Sequence, residues 1–278
     1  MKTHNNNENK IGSIHYYFNN NIFTSVLYMS LEYDIVICCG PKDISGLDTM
    51  ISYTKQNVKH YRKIFIISSV PLLDTFDCII INEDMFPFSY TNINETLNSK
   101  ERTGWYLQQL LKLYAWKVIP DIHDNYLVID ADTFIMKPTS FMIEDVDTKQ
   151  IYPLIDYRKT YRHLPYVNHI QNLHPLLVYD IDYSGICHHM LFQKHILSHL
   201  FSLVESHHCI EFWKAFIQQI DAKETMKSAA SEYELYFVFL HVFYQEQFMY
   251  RQLISRDHNE LIHDDPNLDI LSIHWYWR

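Results

Sequence analysis

Glycine is scarce in this chain, at five residues in 278. Neither G-x-G-x-x-G nor G-x-x-x-x-G-K-[ST] occurs, which excludes the backbone cradles by which dinucleotide-binding folds and P-loop enzymes grip phosphate. Basic residues are short as well: 23 Lys and Arg face 33 Asp and Glu, a formal net charge of −10. That argues against a nucleic-acid partner, because binding a phosphate backbone needs clustered cations that displace counterions. The five cysteines (Cys38, Cys39, Cys78, Cys187 and Cys209) include no C-x-x-C pair and are odd in number. They read as reduced thiols of a cytosolic-type compartment, not as a disulfide framework. No apolar run is long enough for a bilayer, and Ile22 to Leu31 is too short and too polar. The opening "MKTHNNNENK" lacks the apolar core of a signal peptide. The expectation is a cytoplasmic protein with no membrane span and a flexible Asn-rich tail over residues 1–12.

What is present is ordinary globular material, 47% hydrophobic and 20% charged, with no repeat, long linker or compositional break after the tail. Residues 13–278 are expected to form one domain. "YDIVICCG" (33–40) is a β-branched run closed by Gly40-Pro41, the pattern of a strand buried on both faces. Helical spacing follows over 47–58, then strand signals at 62–70 and 77–86. "ERTGWYLQQLLKLYAWKV" predicts a helix capped at Thr103, leading into the strand "NYLVID". Further strands are predicted at 150–157 and 176–185, and helices over 189–203, 209–220 and 232–244. Strands separated by helices point to an α/β fold, a mixed and mainly parallel sheet flanked by helices with ligands at the carboxyl ends of the strands.

The triplet Asp-X-Asp occurs three times, at Asp130/Asp132, Asp145/Asp147 and Asp180/Asp182, so its setting must decide its meaning. The second lies in the polar stretch "IEDVDTKQ". The third follows an apolar run and competes with the first. Asp130 and Asp132 terminate the strand "NYLVID", and residues i and i+2 of a strand point the same way. Two carboxylates flanking the small Ala131 at a sheet edge suit a hard divalent cation that leaves positions open for phosphate oxygens. Such a cation would neutralise charge on a departing diphosphate.

With these residues in view, "LVIDADTFIMKP" resembles the Asp-X-Asp segment of GT-A glycosyltransferases. Together with "RTGWYLQQLLKL" before it and "SGICHHMLFQKHIL" and "SEYELY" after it, in that order over residues 33–245, it is similar to a little-characterised glycosyltransferase-like family of bacteria and giant viruses. The resemblance implies a single GT-A (Rossmann-like) domain, a Mn²⁺ or Mg²⁺ ion, a nucleotide-sugar donor, most simply a UDP-sugar, and a glycan or glycoprotein acceptor hydroxyl. It implies Asp130 and Asp132 as metal and diphosphate ligands, with His274 of "SIHWYWR" as a late metal ligand. The loop "CCGPKD" would lie by the base and ribose, offering Cys39, Gly40, Lys42 and Asp43. On the preceding helix Arg102, Tyr106, Gln109 and Lys112 would face the donor, beside Ala131. Ser184, Gly185, His188 and His189 would line the sugar and acceptor side, His188 near the reaction centre. Glu232 would be the general base or hold the acceptor hydroxyl, or else cap its helix, with Glu234 as an understudy. Trp275 and Trp277 would pack a sugar or close the core.

The Asn-rich tail and the abundance of Ile, Asn, Lys and Tyr fit an AT-rich genome such as that of a giant virus, which would put the protein in host cytoplasm or virion. Other readings are a zinc hydrolase using His195 and His199, four apart on a helix but without H-E-x-x-H, and a nucleotidyltransferase, which would want more acidic ligands and a richer phosphate loop. A non-catalytic carbohydrate-binding or virion protein on the same fold is a further alternative.

Overall fold

β1 (Tyr33–Cys38) is buried at every position, as a strand covered on both faces must be. In the computed structural model, which describes residues 30–72, 77–97, 102–159, 163–178, 180–263 and 265–274, it is the centre of a five-stranded sheet. β2 (Tyr61–Ser68) and β4 (Asn125–Asp130) flank it in parallel, β3 (Ile79–Asn82) extends the β2 edge in parallel, and β8 (His189–Gln193) closes the other edge antiparallel to β4. The fold is thus mixed α/β with a mainly parallel central sheet flanked by helices. Cys38 pairs with Asp130, so the loop after β1 and the end of β4 share one sheet edge.

Alternation along the strands sorts two cores. Ile35, Ile37, Ile64, Ile66, Leu127 and Ile129 face α1 (Ile44–Asn57) and the strands β5 (Thr133–Ile135) and β11 (Ile270–Ser272). Val36, Cys38, Phe65, Ile67, Tyr126 and Val128 face the larger helical layer. That layer holds α2 (Tyr90–Leu97), α3 (Thr103–Val118), α4 (Leu164–Leu173), α5 (Lys194–His208), α6 (Phe212–Gln218) and α7 (Glu232–Phe243). α7 is buried from Glu232 to Leu240 and apolar nearly all round, which suits a helix inside a core. A second sheet runs β10 (Ser255–Asp257), β11, β5, and a third β6 (Met142–Glu144), β7 (Ile151–Asp156), β9 (Met249–Arg251).

At the end of β1 opposite Asp130, Asp34 is fully buried. Its carboxylate accepts both Nε and Nη2 of Arg62, at 3.1 and 2.9 Å, and the backbone N–H groups of Lys63 and His123. A buried charge is tolerated here because each lone pair is met. The cysteines are free thiols.

Three expectations are corrected. Residues 176–185 form no strand among those described. Leu176 and Val178 are exposed, and the segment makes only one bridge, Ser184 to Arg158. Residues 189–203 do not begin as a helix: "HMLFQ" is buried at every position and pairs with β4, and the helix starts at Lys194, where Ile196, Leu197, Leu200, Phe201 and Val204 take helical spacing. At the start of α3 the cap position belongs to Arg102, in a left-handed conformation at φ 63°, and Thr103 is already helical. The tail 1–12, Trp275 and Trp277 lie outside the described residues. No helix among the described residues is long and apolar enough to cross a membrane.

Candidate functional site

β4 ends at Asp130, and the turn Ala131-Asp132 brings the chain back as β5. Asp130 is held from three sides. Its Oδ1 accepts Lys112 Nζ at 2.5 Å and the Tyr233 hydroxyl at 2.7 Å, and its Oδ2 lies 3.2 Å from His188 Nδ1. The Asp130 backbone N–H donates to the His188 carbonyl at 3.0 Å, and His188 sits at φ 62°, a left-handed conformation that turns the chain into β8.

Lys112 is buried at 3% exposure. Its Nζ also donates to Glu232 Oε1 at 2.6 Å and lies 4.5 Å from the Tyr233 ring centroid. Burial opposes the charge, but Asp130 and Glu232 prevail and hold the ammonium above its usual range. Asp130 is likewise penalised by burial, yet Lys112 and His188 carry its carboxyl below the usual range. Glu232 goes the other way: burial, reinforced by Asp130, outweighs Lys112 and raises its carboxyl. Burial pushes the Tyr233 phenol far up, so it stays a donor.

Asp132 opens a second set of contacts. His274 Nδ1 lies 3.5 Å from Asp132 Oδ2, and the Ile273 N–H donates to the Asp132 carbonyl at 2.8 Å. β10 contributes Asp257, whose Oδ1 is 3.7 Å from His274 Nε2 and 3.8 Å from His188 Nε2. The two imidazoles lie 4.9 Å apart. Hydrogen bonds to Asp132 and Asp257 raise His274 to about 9, and the bond from His274 is the main cause that lowers Asp257. His188, Asp257 and His274 can each offer a ligand atom within 4.8 Å of the others, so nitrogen and carboxylate donors suited to a divalent ion converge here.

The remaining expected residues are spread more widely. Cys39 is buried, and Gly40 and Asp43 make a tight turn in which the Asp43 N–H donates to the Gly40 carbonyl at 3.0 Å. Lys42 is exposed on that turn beside the Cys38–Asp130 edge. On α3, Tyr106 is buried and joins the segment before α7, donating to the Thr225 carbonyl at 2.8 Å and accepting from the Ala229 N–H. Gln109 is buried on the same face with no hydrogen-bond partner for its amide among the described residues. Arg102 stacks its guanidinium 4.5 Å from the Trp105 ring centroid. Ser184 Oγ and the Gly185 N–H both donate to Glu234 Oε2 at 2.8 Å, so Glu234 holds this loop. Ser231, not Glu232, caps α7 by accepting from the Glu234 N–H.

His189 points away from the cluster. Its Nε2 is 2.8 Å from Asp156 Oδ2 and its Nδ1 2.8 Å from the Cys187 carbonyl, while Arg251 clamps Asp156 through Nε and Nη2 at 2.8 and 2.7 Å. His195 and His199 gather around Tyr244 instead, His199 Nδ1 at 2.9 Å from its hydroxyl.

Three members of the site were not expected from the sequence: Asp257, Tyr233 and Arg158. The Arg158 Nη1 lies 3.8 Å from Asp257 Oδ2, and its Nε and Nη2 are buried without hydrogen-bond partners among the described residues. Tyr233 had a local signal, its place beside Glu232 at a helix start. Asp257 had none, since "ISRDH" is a polar stretch of no marked period.

A family model described as a family of unknown function, DUF6492, matches residues 50–276. No curated protein matches the chain. Among solved structures, mouse xyloside xylosyltransferase 1 in its apo form is similar with a TM-score of 0.42 and 12% identity, over 87% of this chain and 97% of that one. That likeness is too distant to say anything of the chemistry.

Proposed function

The chain belongs to the family of unknown function DUF6492, and we propose that it is a metal-dependent GT-A glycosyltransferase that moves a sugar from a nucleotide-diphosphate sugar, most simply a UDP-sugar, to a hydroxyl of a glycan acceptor. One observation carries this reading. Asp130, Asp132, His188, Asp257 and His274 meet at the carboxyl edge of a mainly parallel sheet, beside the loop after β1. That edge is where open α/β sheets take their ligands, and no glycine-rich loop competes for the phosphates.

The donors fit a divalent ion such as Mn²⁺, and Asp132 and His274 belong to the shell that would hold it. A bound ion supplies Lewis-acid stabilisation of the diphosphate leaving group. The protein's own residues do the rest. Lys112 fixes Asp130 from inside the core. The turn from Cys39 to Asp43 offers polar groups to the base and ribose. Glu234 fixes Ser184 and Gly185 on the sugar side.

A second reading gives Glu232 the acceptor proton. Burial raises its carboxyl above the usual carboxylate range, the direction in which a general base is tuned. In that case Lys112 must let go of Glu232 when the acceptor binds, because the two are in contact at 2.6 Å. A nucleotidyltransferase or a non-catalytic carbohydrate-binding protein on this fold would use the same edge differently.

The test is a panel of UDP-, GDP- and dTDP-sugars with Mn²⁺, scored for slow hydrolysis and for nucleotide binding. Metal-dependent release of one nucleotide, lost in Asp132→Ala with the fold intact, is the expected result. Neither binding nor hydrolysis across the panel would sink the transferase reading. Release of pyrophosphate from a nucleoside triphosphate would favour the nucleotidyltransferase.

A further inference from the structure

We infer that the Nε and Nη2 edge of Arg158 receives a carboxylate of the substrate, so that a sugar handled at this site is of the uronic-acid type, either the unit transferred or the unit that accepts it. This deepens the reading above and rests on it for the placing of the nucleotide.

Two other guanidiniums of this chain show what that edge does. Arg62 places Nε 3.1 Å from Asp34 Oδ1 and Nη2 2.9 Å from Asp34 Oδ2. Arg251 meets Asp156 in the same way, at 2.8 and 2.7 Å. In each case two parallel N–H groups donate to the two oxygens of one carboxylate. The matching edge of Arg158 is empty: Nε and Nη2 are buried and meet no hydrogen-bond partner among the described residues. Its Nη1 points elsewhere and lies 3.8 Å from Asp257 Oδ2. Buried donors left unmet are costly, and a carboxylate that fills the fork removes that cost. The side chain is 26% exposed, so a ligand reaches the guanidinium from the sheet edge.

The backbone fixes where the fork stands. The Arg158 N–H donates to the Ser184 carbonyl and the Ser184 N–H to the Arg158 carbonyl, both at 2.9 Å. Glu234 in turn holds Ser184 and Gly185.

Topology decides which part of a substrate the fork meets. Along the sheet edge the order is β1, β4, β8: the turn from Cys39 to Asp43 follows β1, Asp130 ends β4, and His188 precedes β8. β7 packs beyond β8, joined to it by Asp156 and His189, and Arg158 follows β7. A nucleotide lying by the loop after β1, with its diphosphate at Asp130 and Asp132, leaves Arg158 on the side away from the nucleoside. What arrives there is the sugar being moved or the sugar receiving it. A neutral hexose has no group to match the fork, whereas a uronic acid brings a planar pair of anionic oxygens. A chain of net charge −10 also repels an anionic sugar unless a cation is set aside for it. Lys112 is already shared by Asp130 and Glu232.

The test uses the full chain and ligand pairs that differ only at the sugar's C6. UDP-glucuronate and UDP-galacturonate are compared with UDP-glucose and UDP-galactose by calorimetry with Mn²⁺. The methyl glucuronide and galacturonide are compared with the methyl glucoside and galactoside by NMR titration, with and without UDP. Expected is a preference of about 10-fold or more for a carboxylated ligand, the size of a charge-assisted hydrogen-bonded pair. A preference among the UDP-sugars assigns the carboxylate to the donor, and one among the methyl glycosides assigns it to the acceptor. Arg158→Gln should erase the preference with an unmoved thermal melt, because the contact with Asp257 is all that its guanidinium gives up. Arg158→Lys should restore only part of it, since an ammonium cannot make two parallel bonds.

No preference in any pair would overturn the inference, and so would a preference that survives Arg158→Gln. If Arg158→Gln weakens UDP or inorganic phosphate as much as the uronate, the fork belongs to phosphate and the inference fails. Nucleotide chemistry is scored separately. A uronate preference among the methyl glycosides without any nucleotide binding sinks only the transferase, and metal-dependent hydrolysis of a UDP-hexose with no uronate preference sinks only this inference.

Discussion

Lys112 Nζ meets Asp130 Oδ1 at 2.5 Å from inside the protein, the lysine coming up through the core layer beneath the sheet edge and the aspartate standing at the rim. With Glu232 on its other side, one ammonium serves two carboxylates. That leaves a net negative charge beneath an edge where a cation is proposed to bind. A single partner lost from such a buried cluster strands the others.

Lys112→Met is therefore expected to cost about 3–5 kcal/mol, read as a lower urea midpoint at pH 7. Adding Glu232→Gln should recover part of that loss, because one stranded charge is then gone, and the two changes should not add. Equal midpoints for wild type and Lys112→Met would show that the carboxylates do not depend on the lysine.

Gly185 is packed so that a β-carbon would come 2.5 Å from Phe237 Cβ. Gly185→Ala must shift α7 or tear the loop from Glu234, and a loss of roughly 1–3 kcal/mol follows from overpacking. Thermal unfolding checks it, and an unmoved melting temperature would mean the loop yields freely.

Much of the site was legible because strand periodicity and strand ends are local properties. "NYLVID" reads as a buried strand, and a strand that stops on an acid puts that acid at the rim, so Asp130 and Asp132 could be placed without any tertiary information. The three-residue spacing put Lys112 on one helix face with Gln109, but its burial between Asp130 and Glu232 depends on α3 packing against β4 and α7 and had no local signal. The strand β8 was not legible either, because "HMLFQ" is a short apolar run that fits strand and helix equally until β4 is known to lie beside it. His188 and His189 looked like a pair for the same reason. Only the register with β4 shows that one reaches the open cluster and the other the closed Asp156 and Arg251 network. Asp257 could not be found at all, since its role comes from β10 pairing with β11 and not from its neighbours in sequence.

His169 gives a pH signature away from the site. It is buried between α4 and α6, Nε2 2.8 Å from the Phe216 carbonyl, and burial lowers it to about 4. The unfolded value is about 6.5. A depressed value means the folded state resists the proton, so the contribution is whole above pH 6.5 and is lost as pH falls through 4. At roughly 1.4 kcal/mol per unit this amounts to as much as about 3 kcal/mol. His169→Gln keeps a donor for Phe216 and cannot titrate. Its urea midpoint should fall less than the wild type's between pH 7 and pH 4.5. Parallel falls would place the acid sensitivity in other groups.

Asp34→Ala tests the other buried carboxylate. It would leave the N–H groups of Lys63 and His123 without their acceptor, while the partly exposed Arg62 keeps the Asp121 carbonyl, at a cost of about 1–3 kcal/mol for each stranded donor. Asp34→Asn should cost less, since an amide oxygen can still receive one of them. A denaturation series that ranks the two alike would rule out the carboxylate as the organising acceptor.

The pairing of β5 with β11 also governs when the site can exist. Thr133 Oγ1 and Ser272 Oγ meet at 3.0 Å across 139 residues of chain, and the Ile273 N–H reaches the Asp132 carbonyl just beyond. Contacts of such separation must overcome a large loop-closure entropy and tend to form late. The parallel strands and Lys112 can assemble from the first half of the chain, but His274 and Asp257 arrive only when this zipper closes. A chain with its parallel strands formed but this pairing still open would thus carry Asp130 and Asp132 without His274 and Asp257, so the full strength of metal binding during refolding would time the arrival of the final contacts.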